Sequence, residues 1–151
     1  MKNLTKINVV GGLTAVVLGA AAPAMASSYY SSSNPLNAYQ DGVIQAQMYG
    51  AFDVENLTYL RNRTNQRDPR PGGDSVFERT KYSYDHGDGQ GYQTGGTDQS
   101  AKTDYYAWYS QTDHDEIDGM AISGRIRTQV CEDHGIYLDP CSAWPQQTFG
   151  L

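Results

Sequence analysis

Alternation of apolar and polar residues marks out a series of short extended segments. Ile44, Ala46, Met48, Gly50, Phe52 and Val54 form an apolar row at every second position, opposed by Gln45, Gln47, Tyr49, Asp53 and Glu55. A helix through Ile44, Met48 and Phe52 is the competing reading, but Gly50 in its middle and Asp41-Gly42 before it favour a strand. Asn56 to Thr64 continues as a second, more polar strand. Ser75 to Asp85 alternates again, with Val76, Thr80, Tyr82 and Tyr84 on one side and Phe77, Arg79, Lys81 and Ser83 on the other. Thr103 to Thr112, containing Tyr105, Tyr106, Trp108 and Tyr109, is aromatic on both faces and predicts a central strand. Asp113 to Asp118 then turns the chain into a strand carrying Met120, Ile122, Gly124, Ile126, Thr128 and Val130 on its buried face. Ala121, Ser123, Arg125, Arg127 and Gln129 face outward there.

Between these segments lies turn chemistry. Asn34-Pro35 predicts one helical turn through about Tyr39, and Asp41-Gly42 a turn. Arg67 to Asp74 holds Pro69, Pro71, Gly72 and Gly73, which exclude regular structure and make a rigid connection. His86 to Gln99, rich in Gly and Asp, predicts the most mobile loop of the domain. Cys131 and Cys141, the only cysteines, bracket a loop containing Asp133, Gly135 and Asp139-Pro140, and their natural pairing is with each other. The sum predicts an all-β fold, a small antiparallel β-sandwich or barrel stapled by one disulfide. Residues 41–151 form its single β-rich domain, preceded by a flexible polar leader over 27–40.

The first residues supply the oxidising context that a disulfide needs. Lys2 and Lys6, the apolar run from Ile7 to Ala22 and the small-x-small triplet Ala24-Met25-Ala26 have the form of an export signal cut after Ala26. A secreted, extracellular product starting at Ser27 is expected, with no membrane span once the signal is gone. Losing Lys2 and Lys6 takes the formal charge from −6 to −8, which argues against nucleic acid as a partner. Charge is unevenly spread. Arg61, Arg63, Arg67, Arg70, Arg79 and Lys81 precede an acidic stretch that includes Asp85, Asp98, Asp113, Asp115 and Asp118. Either the two halves pair across the fold, or the first is a basic face for an anionic surface polymer or lipid.

Familiar catalytic motifs are missing from the chain: no Gly-x-Ser-x-Gly, no phosphate-binding glycine loop, no His-Glu-x-x-His and no paired-cysteine metal spacing. Each of the three histidines follows an aspartate, at Asp85-His86, Asp113-His114 and Asp133-His134. His86, His114 and His134, with Asp113 and Asp115, are therefore the candidates for a metal or acid-base site, although adjacent loop residues of this kind commonly serve only the turn. Metal is expected to be structurally irrelevant and no cofactor is expected. Tyr105, Tyr106, Trp108 and Tyr109 are candidate stacking residues, and Arg61, Arg63 and Arg67 candidate anion contacts.

Asn34-Pro-Leu, Tyr49-Gly-x-Phe52, Arg67-Asp-Pro-Arg-Pro-Gly-Gly73 and Cys131-Glu-Asp with Asp139-Pro-Cys-Ser142 together resemble a loose group of small secreted proteins from Gram-positive bacteria. The resemblance implies export and fold, and lends no catalytic residue. The leading expectation is a secreted, non-enzymatic β-domain that binds an envelope component, such as a glycan or anionic polymer, or another protein. A secreted antimicrobial or toxin-like protein and a small hydrolase using Asp-His pairs are the alternatives.

Overall fold

The computed structural model describes residues 27–136 and 138–151, so the expected export signal lies outside the described residues. Among the described residues nine strands follow one another: β1 (Ser27–Tyr29), β2 (Leu36–Gln40), β3 (Val43–Glu55), β4 (Tyr59–Arg67), β5 (Val76–Asp85), β6 (Gln93–Gln99), β7 (Tyr109–Glu116), β8 (Ser123–Glu132) and β9 (Gln146–Gly150). They form two antiparallel sheets. One runs β1-β3-β4-β7 with β2 also paired to β3; the other runs β6-β5-β8-β9. The inward rows of both sheets pack together, Met48, Phe52 and Leu60 meeting Val76, Ile126, Val130 and Phe149. The fold is thus the sandwich, in which period-two sequences bury one face and leave the other outside.

Residues 27–40 are woven into this sandwich and are not a free leader. The Asp41-Gly42 turn, with φ of 50° and 78°, matches the right-handed twist of a hairpin and lays β2 against the first half of β3. Leu36 and Ala38 therefore point into the core, and the expected helical turn after Pro35 is extended strand. β1 covers the other half of β3, with Tyr29 opposite Gly50. A Cβ at Gly50 would meet the Arg63 carbonyl oxygen at 2.6 Å and the Tyr29 hydroxyl at 2.7 Å, so this glycine lets the buried tyrosine cross the strand.

Three further expectations are corrected. Residues 103–108 are irregular, and the strand that follows, β7, lies at a sheet edge and not at its centre. Tyr105 and Tyr106 are exposed there, and the chain before them is anchored by Gln66, which donates to the Ala101 carbonyl at 2.7 Å and accepts from the Ser100 hydroxyl at 2.8 Å. The Gly- and Asp-rich segment after His86 is a loop only in its first part, since Gln93–Gln99 pairs with β5 as an edge strand. Met120 and Ile122 precede β8 and are exposed; the buried row of that strand begins at Gly124.

The inter-sheet space also contains a polar seam. Glu78 is completely buried, and one of its carboxyl oxygens accepts hydrogen bonds from the hydroxyls of Thr80 and Thr128, the latter at 2.8 Å. Asn62 of β4 donates to Thr80 at 2.9 Å and receives the Tyr29 hydroxyl, so the seam joins strands of both sheets. The other Glu78 oxygen has no hydrogen-bond partner among the described residues. Burial pushes the Glu78 carboxyl up to about 8, the acidic neighbours Asp113 and Asp98 pushing in the same direction against the Thr128 hydrogen bond. Near neutral pH this group is chiefly protonated, which avoids placing an uncompensated charge in the core.

Cys131 and Cys141 form the expected disulfide, with Cα atoms 4.1 Å apart and a sequence separation of 10. Val130–Ser142 and Glu132–Pro140 backbone hydrogen bonds flank it. Buried Cys131 packs opposite Phe77 of β5. Closing such a loop removes denatured-state entropy worth roughly 3 kcal/mol. Replacing both cysteines by serine is expected to lower the melting temperature by about 10 °C while circular dichroism stays β-rich. A second expectation concerns Glu78. Because its folded value lies above the ordinary 4.5, its contribution is fully present below that value and is lost as pH rises toward 8. The melting-temperature difference between the parent and Glu78→Gln should therefore shift progressively against the parent across this window. Asp53, Asp118 and Asp133, held below their usual values by the Arg61, Met120 backbone and Lys102 hydrogen bonds, act only at lower pH.

Candidate functional site

The outward sides of β5 and β8 bring four cations into one patch. Lys81 stands directly opposite Arg127, Ser83 opposite Arg125, and Arg79 opposite Gln129. Arg79 is anchored to Asp139 at 3.3 Å and to Gln99. Lys81, Arg125 and Arg127 have no carboxylate within ion-pair distance among the described residues. Like charges facing each other across a strand pair destabilise a sheet, so the Lys81–Arg127 pair costs stability unless an anion lies over it. The Nε atoms of Arg125 and Arg127 are buried without a hydrogen-bond partner.

Aromatic rings hold three of these cations in place. Arg125 lies 3.8 Å from the Tyr92 ring centroid, Arg79 4.7 Å from Phe77, and Lys81 4.8 Å from Trp144. Each contact contributes about 0.5–1 kcal/mol at an exposed site and restricts a long side chain that would otherwise be disordered. Trp144 is presented by the segment after the disulfide, whose Pro145 carbonyl accepts from Thr128 N. The result is an outward surface of fixed positive charge interleaved with rings, suited to a polyanion.

The arginines singled out from the sequence behave differently. Arg61 and Arg63 project from the outer face of β4, on the opposite side of the sandwich, and both are clamped to Asp53 of β3, Arg61 at 2.5 Å and Arg63 at 3.0 Å. Arg61 also reaches Glu55 at 3.5 Å. Their charge is spent on a neighbouring strand, not on the acidic half of the chain. Arg67 does join the aromatic candidates: its guanidinium lies 4.4 Å from Trp108 and 5.4 Å from Tyr106, while Tyr49 meets Trp108 edge-on at 4.8 Å. Tyr105 and Tyr109 meet edge-on nearby, with centroids 6.4 Å apart. These rings lie close to one another, and Arg67 among them is covered by Trp108 and Tyr106 and bonded to Gln47.

The histidines do not share a centre. β5 and β8 are paired from Val76–Glu132 at one end to Asp85–Ser123 at the other. His86 follows the second end and His134 the first, placing them about 30 Å apart at the usual rise per residue. His114 lies on the other sheet, opposite Arg61 and near Glu55 at 3.7 Å. Asp113 faces the interior beside Glu78 and Asp115 accepts from the Tyr84 hydroxyl at 2.6 Å, so neither accompanies a histidine into a common site. Each histidine instead has its own carboxylate, Asp118 for His86 at 3.0 Å and Glu132 for His134 at 2.8 Å.

Comparison with protein-family models, with curated proteins and with solved structures finds no match to this chain. The functional reading therefore rests on the patch itself. Arg125 and Arg127 were placed on the outward side of their strand by alternation, as were Arg79 and Lys81, but nothing in the sequence states that the two strands are neighbours. Lys81→Glu replaces the repulsion with an opposite-charge pair, worth roughly 0.2–1 kcal/mol, against the loss of the Trp144 contact. This variant is expected to melt no lower than the parent, which thermal denaturation measures directly.

Proposed function

We propose that this chain is an exported, non-enzymatic binding domain whose β5–β8 outer face docks an anionic polymer of a cell envelope. The observation that carries the reading is the direct opposition of Lys81 and Arg127 without an acidic partner on either. A fold that retains a mutually repelling pair, while supplying Asp53 and Glu55 to Arg61 and Arg63 on its other side, keeps unspent positive charge for an external anion. The disulfide agrees with an oxidising compartment. The strongly acidic remainder of the chain disfavours indiscriminate polyanion binding, so retention has to come from a local patch. No observation favours the toxin-like reading over binding, and the separated histidines give the Asp-His hydrolase reading no centre.

Binding of the mature protein to immobilised polyglucuronate and polyphosphate, with neutral dextran as control, tests the proposal. Retention by the anionic supports is expected at low salt and should fall steeply as salt screens the contacts. Combined Lys81→Gln, Arg125→Gln and Arg127→Gln should reduce affinity at least tenfold. The pair Arg61→Gln with Arg63→Gln should leave it nearly unchanged. Equal retention of all three proteins would overturn the assignment of the face.

A further inference from the structure

A second site sits at the end of the sandwich where the disulfide loop meets the Arg67–Asp74 connection. Asp74, Glu132 and His134 each offer a ligand atom there, all within 4.8 Å of one another. His134 Nε2 lies 2.8 Å from a Glu132 oxygen and 3.5 Å from an Asp74 oxygen. One ring nitrogen carries at most one hydrogen, so it satisfies only one of these two carboxylates at a time. Glu132 is buried, and its charge needs compensation that a shared histidine supplies incompletely. The three groups open on a cleft of about 650 Å³, lined also by Gln40, Gln45 and Gly72–Gly73.

The backbone holds these ligands in place. Glu132 is the last residue of β8, paired with Val76 and bonded through its N–H to Pro140. Asp133 N donates to Ser75 O at 2.7 Å, which ties the residue before His134 to the residue after Asp74. His134 N is held by Asp139 at 3.2 Å, and the Cys131–Cys141 disulfide closes the loop that carries the histidine. The ligands thus come from two segments already fastened together, so a cation meets little ordering cost.

We infer that Asp74, Glu132 and His134 form a site for a divalent transition-metal ion, zinc being the reference case. One imidazole nitrogen and two carboxylate oxygens suit zinc, cobalt or manganese; calcium takes six to eight oxygens and is disfavoured by a nitrogen ligand. Three protein ligands leave a coordination position facing the cleft, where water or a small anion completes the shell. The site lies at the end of the β5–β8 face, with Asp139 contacting both Arg79 and His134 N, and does not depend on that face's function.

Metal-free mature protein titrated with zinc, cobalt or calcium chloride tests this by calorimetry and thermal denaturation. Zinc is expected to bind at one equivalent and, at about a hundredfold excess over its dissociation constant, to raise the melting temperature by about 5 °C or more. Cobalt should give visible absorption bands of a low-coordinate site, and calcium should produce no shift. His134→Gln and Glu132→Gln should abolish the zinc response. Asp74→Asn changes an exposed residue and preserves folding, and it should weaken zinc at least tenfold. His114→Gln, on the opposite sheet, should match the parent. No zinc binding by the parent, or undiminished binding by Asp74→Asn and His134→Gln, would overturn the site.

Discussion

A buried carboxyl group sets the terms on which the two sheets meet. Glu78 stands on the inward side of β5, completely out of water, and among the described residues no cation is paired with it. The titratable groups around it are Asp113 of β7, Asp98 of β6, Tyr29 of β1 and Tyr82 of its own strand, all acidic in kind. Such a site favours the protonated form of the carboxyl. Once neutral, Glu78 becomes an ordinary hydrogen-bonding group, and its contacts to Thr80, Thr128 and Asn62 connect β5, β8 and β4. An apolar seam gains energy in many alignments, whereas the hydrogen bonds that one Glu78 oxygen accepts from Thr80, Thr128 and Asn62 are made in only one. The seam therefore fixes how the sheets sit, and with them where each outward row points.

The same strands that carry the seam carry the candidate function. β5 sends Val76, Glu78, Thr80 and Tyr82 inward and Phe77, Arg79 and Lys81 outward, while β8 sends Ile126, Thr128 and Val130 inward and Arg125 and Arg127 outward. Registration of β5 on β8 aligns Thr80 with Thr128 inside and, one residue on, Lys81 with Arg127 outside. A one-residue slip would dissolve both pairings together. The cationic face is thus a consequence of the arrangement that the buried seam selects. It gains rigidity from Tyr92, Phe77 and Trp144, which hold the cations from beside and below.

Much of the fold was legible because alternation is a local signal. The rows in β3, β5 and β8 could be read residue by residue, and the two cysteines admitted one pairing. Errors fell where a non-local contact overrides local composition. Ser27–Tyr29 is polar and short, yet it is a strand because Gly50 leaves room for Tyr29 and Asn62 receives its hydroxyl. The Tyr105–Trp108 run has strand composition, yet it is irregular, and the chain before it is fastened through Ser100 and Ala101 to Gln66 of β4. Glu78 shares the parity of Val76 and Thr80, but nothing in the local sequence marks a glutamate there as buried. Site residues were legible as types but not as groups: Arg61 and Arg63 proved to be tied to Asp53 and Arg79 to Asp139, and the open patch joins Lys81 to Arg125 and Arg127 from a distant strand. Asp74 and Glu132 gave no local sign that they share a histidine, since their meeting depends on the β5–β8 register.

A neutral Glu78 locks the sandwich together. The most direct measurement is the ¹³C chemical shift of the Glu78 carboxyl carbon followed by NMR across pH, assigned by its loss in Glu78→Gln. The carbon is predicted to keep its protonated shift through the acidic range and to move with a midpoint of about 8. A midpoint near the ordinary glutamate value of 4.5 would contradict the account. It would mean that the carboxylate is charged and solvated, and that the two sheets are held by something other than this seam.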